Sequence, residues 1–203
     1  MRRDKGFTLI ELAIVLVIIG IIIGMVLKGQ DLIQNARLKK FINEVRRYEL
    51  PMWICVDKLQ TFPGDTDKDG LIDADPLANT CYTNTSQSPT SHTVSIGGSS
   101  WYIYYGYGND GTNPNRNVMV ICVSDDCQTT FGDTELEYAL ALDTSFDGSE
   151  GPNSGIIIGA TAVDDPTAGT ANVVADGISH TTSTTWTGLT NIVAIIYYFD
   201  KKP

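Results

Sequence analysis

The sequence is short of the residues on which metal centres and many active sites depend. Its 203 residues include four cysteines and two histidines, His92 and His180. Four cysteines are too few for a disulfide-dense scaffold, and without a CxxC pair a zinc site is disfavoured. No nucleophile, base and orienting residue stand together in a known motif, so we do not expect an enzyme.

Positive charge is also scarce, with 14 Lys and Arg against 24 Asp and Glu and a formal net charge of -10. This balance argues against a nucleic-acid-binding protein, because phosphate binding needs a basic patch. A mean hydropathy of -0.03 argues against a polytopic membrane protein, and the composition against a disordered or collagen-like chain. The length fits one globular domain with an appendage.

One long apolar run departs from these averages. It covers residues 7–27 and is interrupted only by Thr8 and Glu11. A helix of this length spans roughly 30 Å, enough to cross a bilayer once. Arg2, Arg3 and Lys5 precede it, which places the N-terminus in the cytoplasm and the rest of the chain beyond the membrane. No small-residue cleavage site follows the run, so a secretory signal peptide is disfavoured.

Glu11 is unexpected in a plain membrane anchor. An acidic residue at the bilayer centre costs about 2.5–3.5 kcal/mol on insertion scales, and such a residue indicates a function and a partner. The surrounding segment, KGFTLIEL from Lys5 to Leu12, resembles the prepilin signal of type IV pilins and of type II secretion pseudopilins.

The resemblance implies cleavage after Gly6 by a membrane prepilin peptidase and N-methylation of the new amino terminus at Phe7. It also implies that Glu11 pairs with the Phe7 amine of a neighbouring subunit, which would set axial register in a filament. Lys28 stands where many relatives carry proline. Gly20 and Gly24 are then the weak points of the helix.

The sequence predicts four segments: a leader at 1–6, a membrane or filament-core helix at 7–27, an amphipathic second half of that helix at 28–62 and a head at 63–203. Apolar residues at steps of three and four predict the amphipathic half. Its basic face either meets acidic neighbours or is simply solvated. We expect Pro51 to kink the helix or to loosen it one turn earlier, and Phe62, Pro63 and Gly64 to end it. The stripe comprises Leu38, Phe41, Ile42, Val45, Tyr48 and Met52.

An acidic loop follows, DTDKDGLID from Asp65 to Asp73, with aspartates at positions 1, 3, 5 and 9 and Gly70 at position 6. This is the spacing of an EF-hand calcium loop, in which alternate oxygens meet at one centre. Pro76 replaces the usual Glu at position 12. The sequence therefore predicts a weak calcium site, and a solvated acidic turn is the alternative. The candidate ligands are Asp65, Asp67, Asp69, the Leu71 carbonyl, Asp73 and Asp75.

The rest of the head predicts a small antiparallel sheet and one helix, an α+β fold. Half of residues 79–100 are Ser or Thr, which predicts a long exposed loop. The helix is expected at 134–142. The expected strands cover 101–105, 118–123, 156–158 and 192–199, and we expect Tyr104 and Tyr197 to lie in the core.

The four cysteines fall beyond the membrane, where disulfides persist. Four cysteines allow three pairings, and the sequence cannot select one. We favour Cys122 with Cys127 as a hairpin clamp, and Cys55 with Cys81 closing the acidic loop onto the helix.

Charge is unevenly divided along the chain. Residues 28–50 carry six Lys or Arg against three acids, and residues 51–203 carry five against 19.

The leading interpretation is a homo-oligomeric, extracellular type IV pilus subunit that is held in the bacterial inner membrane before pilus machinery assembles it. A type II secretion pseudopilin, and a minor or tip pilin that binds a surface or ligand, are the alternatives.

Overall fold

The computed structural model describes residues 8–109, 115–148, 151–168, 172–175 and 177–200. The chain divides into two compact units, residues 1–39 and 40–203. One helix, α1 (Leu9–Leu59), contributes to both.

In the first unit, the apolar part of α1 has no packing partner among the described residues. Ile14, Leu16 and Ile18 keep 55%, 62% and 51% of their surface exposed. The helix is long and apolar enough to cross a membrane. Side chains of this kind need a non-aqueous surrounding, because exposed apolar area costs about 25 cal/mol per Å² in water.

In the second unit, residues 40–59 of α1 pack on the head. Phe41, Val45, Tyr48, Met52 and Cys55 are buried at steps of four and three, as the apolar stripe predicts. The Phe41 ring lies 4.5 Å from that of Trp101 and 5.3 Å from that of Tyr138. This face of the helix thus completes the head's core.

Helix α1 continues through Pro51, which is buried. Proline supplies no backbone N–H and crowds the carbonyls one turn earlier. The Tyr105 hydroxyl donates to the Tyr48 carbonyl at 2.8 Å and lies 2.7 Å from the Tyr82 hydroxyl. Two buried tyrosines therefore support the backbone beside the proline. The helix ends at Leu59, three residues before the expected stop, because Gln60 adopts a left-handed conformation with φ of 60°.

A seven-stranded sheet forms the head and confirms the α+β class with a mainly antiparallel sheet. The strand order is β1-β2-β3-β7-β4-β6, and β5 pairs with β2 in parallel. The strands are β1 (Thr93–Ile96), β2 (Ser99–Gly108), β3 (Arg116–Cys122), β4 (Ile157–Ala162), β5 (Val173–Ala175), β6 (Ser179–His180) and β7 (Ala194–Tyr197).

Both faces of the central strands are buried, which explains their nearly continuous apolar runs. One cross-strand row aligns Tyr104, Val120, Ile196 and Ile158, and belongs to a core cluster with Val118 and Val174. Residues of the alternate register, such as Trp101 and Tyr105, contact α1 instead. Tyr104 and Tyr197 are both 4% exposed, as expected for core residues.

Two expectations for the head are corrected. Residues 79–100 are not one exposed loop, since they contain the short helix α2 (Thr80–Thr83) and strand β1, with Tyr82 and Ile96 buried. Composition misled here because isolated apolar residues between Ser and Thr supply the packing. The helix expected at 134–142 is longer, α3 (Asp133–Phe146). Its start is fixed by Glu135, which accepts from Gly132 N at 3.0 Å.

Candidate assembly helix and aspartate loop

Glu11 lies in the first turn of α1, where it caps the helix. Its Oε2 accepts hydrogen bonds from Thr8 N and Thr8 Oγ1, both at 2.8 Å, and Glu11 N donates to Thr8 Oγ1 at 3.4 Å. This reciprocal pattern is a capping box, which satisfies backbone N–H groups that the helix leaves unpaired. The Thr-x-x-Glu spacing was a readable signal in the sequence. Gly6 and Phe7 lie outside the described residues.

The aspartate loop gathers three of its candidate ligands. Ligand oxygens of Asp65, Asp67 and Asp69 lie within 4.8 Å of one another. Asp65 accepts from Lys68 N at 2.7 Å and from Gly70 N at 3.1 Å, and Asp69 accepts from Leu71 N at 2.8 Å. The loop backbone therefore orients the carboxylates. Gly70 has φ of 94°, a conformation that side chains rarely adopt.

The other two aspartates serve different contacts. Asp73 closes the loop, with Oδ2 accepting from Thr66 Oγ1 at 2.6 Å and Oδ1 from Thr66 N at 3.0 Å. Asp75 caps the 3-10 helix Pro76–Ala78 by accepting from Leu77 N at 2.9 Å, and its Oδ2 lies 3.0 Å from His92 Nε2. Pro76 begins that helix, so the chain turns away before a twelfth-position ligand could form.

Asn117 attaches the loop to the sheet, a role that the sequence did not reveal. It is 1% exposed and lies at the start of β3. Its Oδ1 accepts from Ile72 N at 2.9 Å, and its Nδ2 donates to the Gly70 carbonyl at 2.8 Å. Ile72 is fully buried. Asn117 therefore holds the loop at its turn, Gly70, and at Ile72, where the chain leaves the loop.

Asp75 links the end of this region to the first hairpin through His92. His92 Nδ1 lies 2.8 Å from the Ile103 carbonyl, and the ring stacks on Tyr104 at 4.7 Å. Burial by itself lowers the pKa of His92, but the hydrogen bonds to Asp75 and Ile103 and the Asp75 charge raise this pKa above its ordinary value. Both neighbouring oxygens accept, which favours a doubly protonated ring.

The structure contains both favoured disulfides. Cys55 of α1 bonds Cys81 of α2, with Cα atoms 5.9 Å apart. Cys122 bonds Cys127, with Cα atoms 5.2 Å apart. The second bond does not clamp a hairpin as expected. It closes the turn that follows β3, because Cys127 precedes α3 and belongs to no strand.

The basic side chains in the second unit's part of α1 bind its own head. Lys40 Nζ donates to the Ser95 carbonyl at 3.1 Å, and Arg47 Nε donates to the Gln87 carbonyl at 3.1 Å. Arg46 lies over the Phe146 ring, 5.0 Å from its centroid. These three residues are therefore not simply solvated, and contact of the basic face with acidic neighbours stays a prediction.

One segment of the chain is similar to a known family. Residues 1–27 match the family model described as the prokaryotic N-terminal methylation motif. The N-terminal segment is therefore a signal of the type IV pilin and pseudopilin type. No curated protein and no solved structure matches the chain. The match covers the signal and does not extend to the head.

Proposed function

We propose that this chain is a structural subunit of an extracellular type IV pilus-like filament, cleaved after Gly6 and N-methylated at Phe7. The observation that carries the proposal is the methylation motif at residues 1–27 on a helix whose apolar side chains are exposed. The precursor is held in the inner membrane with its N-terminus in the cytoplasm. Prepilin peptidase and the pilus or secretion assembly machinery are its expected partners.

In the filament, Glu11 would give up its hydrogen bonds to Thr8 and bind a group of a neighbouring subunit. A carboxylate that accepts from Thr8 in the single chain can bind the methylated amine of a neighbouring Phe7 instead. An ammonium offsets the cost of burying the carboxylate among apolar helices and sets the axial register. The pair thereby specifies assembly more than it stabilises it.

The test compares sheared filaments from cells that produce the wild-type chain, Glu11→Ala or Glu44→Ala at equal levels. Glu44 is an acidic residue on the same helix, outside the apolar run. We expect filaments from wild type and Glu44→Ala and at least about a tenfold loss for Glu11→Ala, because breaking a buried pair costs about 3–5 kcal/mol. Normal filaments from Glu11→Ala would refute the register role.

A pseudopilin of type II secretion is the second candidate, since the same signal serves both classes. A minor or tip pilin is the third. Abundance separates them: a major subunit dominates the sheared material, whereas a pseudopilin or a tip subunit does not.

We also propose that Asp65, Asp67 and Asp69 hold calcium. Three carboxylates within 4.8 Å repel one another, and a hard divalent cation bound by oxygens relieves that repulsion. The orienting bonds within the loop and the two Asn117 bonds support the arrangement. The cation would stiffen the loop and neutralise part of the acidic head.

Thermal unfolding of the full chain in detergent, with 10 mM calcium or with chelator, tests this site. If the affinity is 10⁻⁴ to 10⁻³ M, as in extracellular modules, calcium adds about 1.4–2.7 kcal/mol of stability. Asp69→Ala should remove that gain, and Asp57→Ala, an exposed acid on α1, should retain it. An equal melting temperature with and without calcium in the wild type would reject the site.

A further inference from the structure

The outer surface of α3 carries an apolar groove with an acidic rim. The groove, of about 190 Å³, is formed by Leu136, Leu140 and Trp186, with Asp133 and Glu137 at its edge. Residues 133, 137 and 140 share one helix face by their spacing. In the part of the chain that the structure describes, Leu140 is the one large apolar residue outside α1 that is exposed, at 42%.

The chemistry of this groove suits a particular kind of side chain. An apolar floor with carboxylates at its edge fits an aliphatic chain that ends in a cation, because Lys and Arg bury their stems on apolar surface and keep their charge at the rim. Residues 51–203 carry 19 acids against five bases, so a basic partner is attracted to the head in general.

The first unit of this chain offers such a surface. Lys40, Arg46 and Arg47 have contacts in the head, whereas Arg37 is exposed on the helix of the other unit. Ile33, one turn earlier, is 55% exposed. Ile33 and Arg37 line the same shallow groove of α1, together with Gln30, Asp31 and Gln34. The helix therefore presents an apolar residue and a cation one turn apart.

We propose that the Ile33–Arg37 face of one copy docks into the α3 groove of a second copy, with Ile33 on Leu140 and Arg37 at Glu137. The inference rests on the proposed filament function. Two different patches on each subunit make a head-to-tail contact, which does not close on itself unless the rotation forms a ring and so continues along a filament.

A charge exchange in the full-length chain tests the contact. Glu137→Lys or Arg37→Glu alone should lower the yield of sheared filaments by at least about tenfold, since close charge pairs at interfaces couple strongly. The double variant should recover to within about threefold of wild type. Asp57→Lys, an equal charge reversal elsewhere on α1, should leave the yield unchanged.

Normal filaments from Glu137→Lys, or no recovery in the double variant, would overturn the contact while leaving the filament function intact. A wild-type chain that forms no filament under any condition would overturn both. Unfolding of each variant in detergent should match wild type, which separates loss of contact from loss of fold.

A second measurement does not depend on charge. Cysteines introduced together at Ile33 and Leu140 should cross-link neighbouring copies in filaments under mild oxidation, and denaturing gels should show a ladder that reductant removes. Cysteines at Ile33 and Leu59 should give no ladder. A ladder from the control pair alone would contradict the docking.

Discussion

The two units of this chain obtain their stability from different surroundings. In residues 8–39 the apolar side chains of α1 are exposed, and Leu32 and Ile33 remain 72% and 55% exposed even beyond the apolar run. In residues 40–200, Trp101, Tyr105 and Met119 are almost completely buried, and two disulfides join elements of the head. The first unit therefore exposes the apolar surface of a helix that is able to cross a membrane, whereas the second carries its own core.

The largest loss of stability in the second unit should follow from removing the disulfide between α1 and α2. Replacing Cys55 and Cys81 by serine opens a loop whose ends are 26 residues apart. The chain-entropy model gives a loss of about 3.5 kcal/mol in the free energy of unfolding. Replacing Cys122 and Cys127, separated by five residues, should cost about 2 kcal/mol. Chemical denaturation in detergent measures both, and equal losses would contradict the entropic explanation.

The tyrosine support beside Pro51 should contribute somewhat less. Tyr105→Phe removes the donor to the Tyr48 carbonyl and the partner of the Tyr82 hydroxyl. The Tyr82 hydroxyl still has the Tyr48 carbonyl as an acceptor at 3.4 Å, so the expected loss is that of a typical buried hydrogen bond, about 0.5–1.5 kcal/mol. Burial raises the pKa of Tyr105 well above its ordinary value, so the hydroxyl remains a donor at neutral pH. Tyr107→Phe, on the same strand but partly exposed, is the control, and an equal change in both variants would reject the role.

His92 should make head stability depend on pH to a smaller extent. Its pKa is raised above 6.5 in the folded state. The stabilisation is therefore complete below the unfolded pKa near 6.5 and is lost as pH rises through the folded value. Unfolding free energies measured between pH 5 and 9 should fall across that window in wild type and not in His92→Gln. A parallel fall in the variant would assign the pH effect to other groups.

The smallest effect is expected in the first unit. Ile22→Ala should change head unfolding in detergent by less than about 0.5 kcal/mol, because exposed positions away from packed features have effects of this size. Ile103→Ala, in the buried core of β2, should cost about 2–5 kcal/mol in the same assay. Comparable losses would show that the two units unfold as one.

Sequence reasoning succeeded where the pattern was local. The apolar run, the stripe from Phe41 to Met52 and the β-branched runs of β2, β3 and β7 each predicted the right element. It failed for β1, β5 and β6, which are two to four residues long. Unlike β7, which is as short as β1, these strands contain no run of more than two large apolar residues, and they are stabilised by neighbours far along the chain.

In the candidate sites, too, local spacing was informative and contacts between residues distant in sequence were not predicted. Spacing identified the three clustered aspartates, but Asp73 and Asp75 have partners, Thr66 and His92, that spacing does not indicate. Asn117 lies 45 residues from Ile72, whose backbone it binds. Its role depends on the packing of β3 against the loop, which no local pattern encodes.

Mass spectrometry of the N-terminus of this chain, taken from sheared cell-surface material, tests the central claim most directly. The account predicts a chain that begins at Phe7 with a methylated amine. An unmethylated chain that begins at Met1 would contradict it.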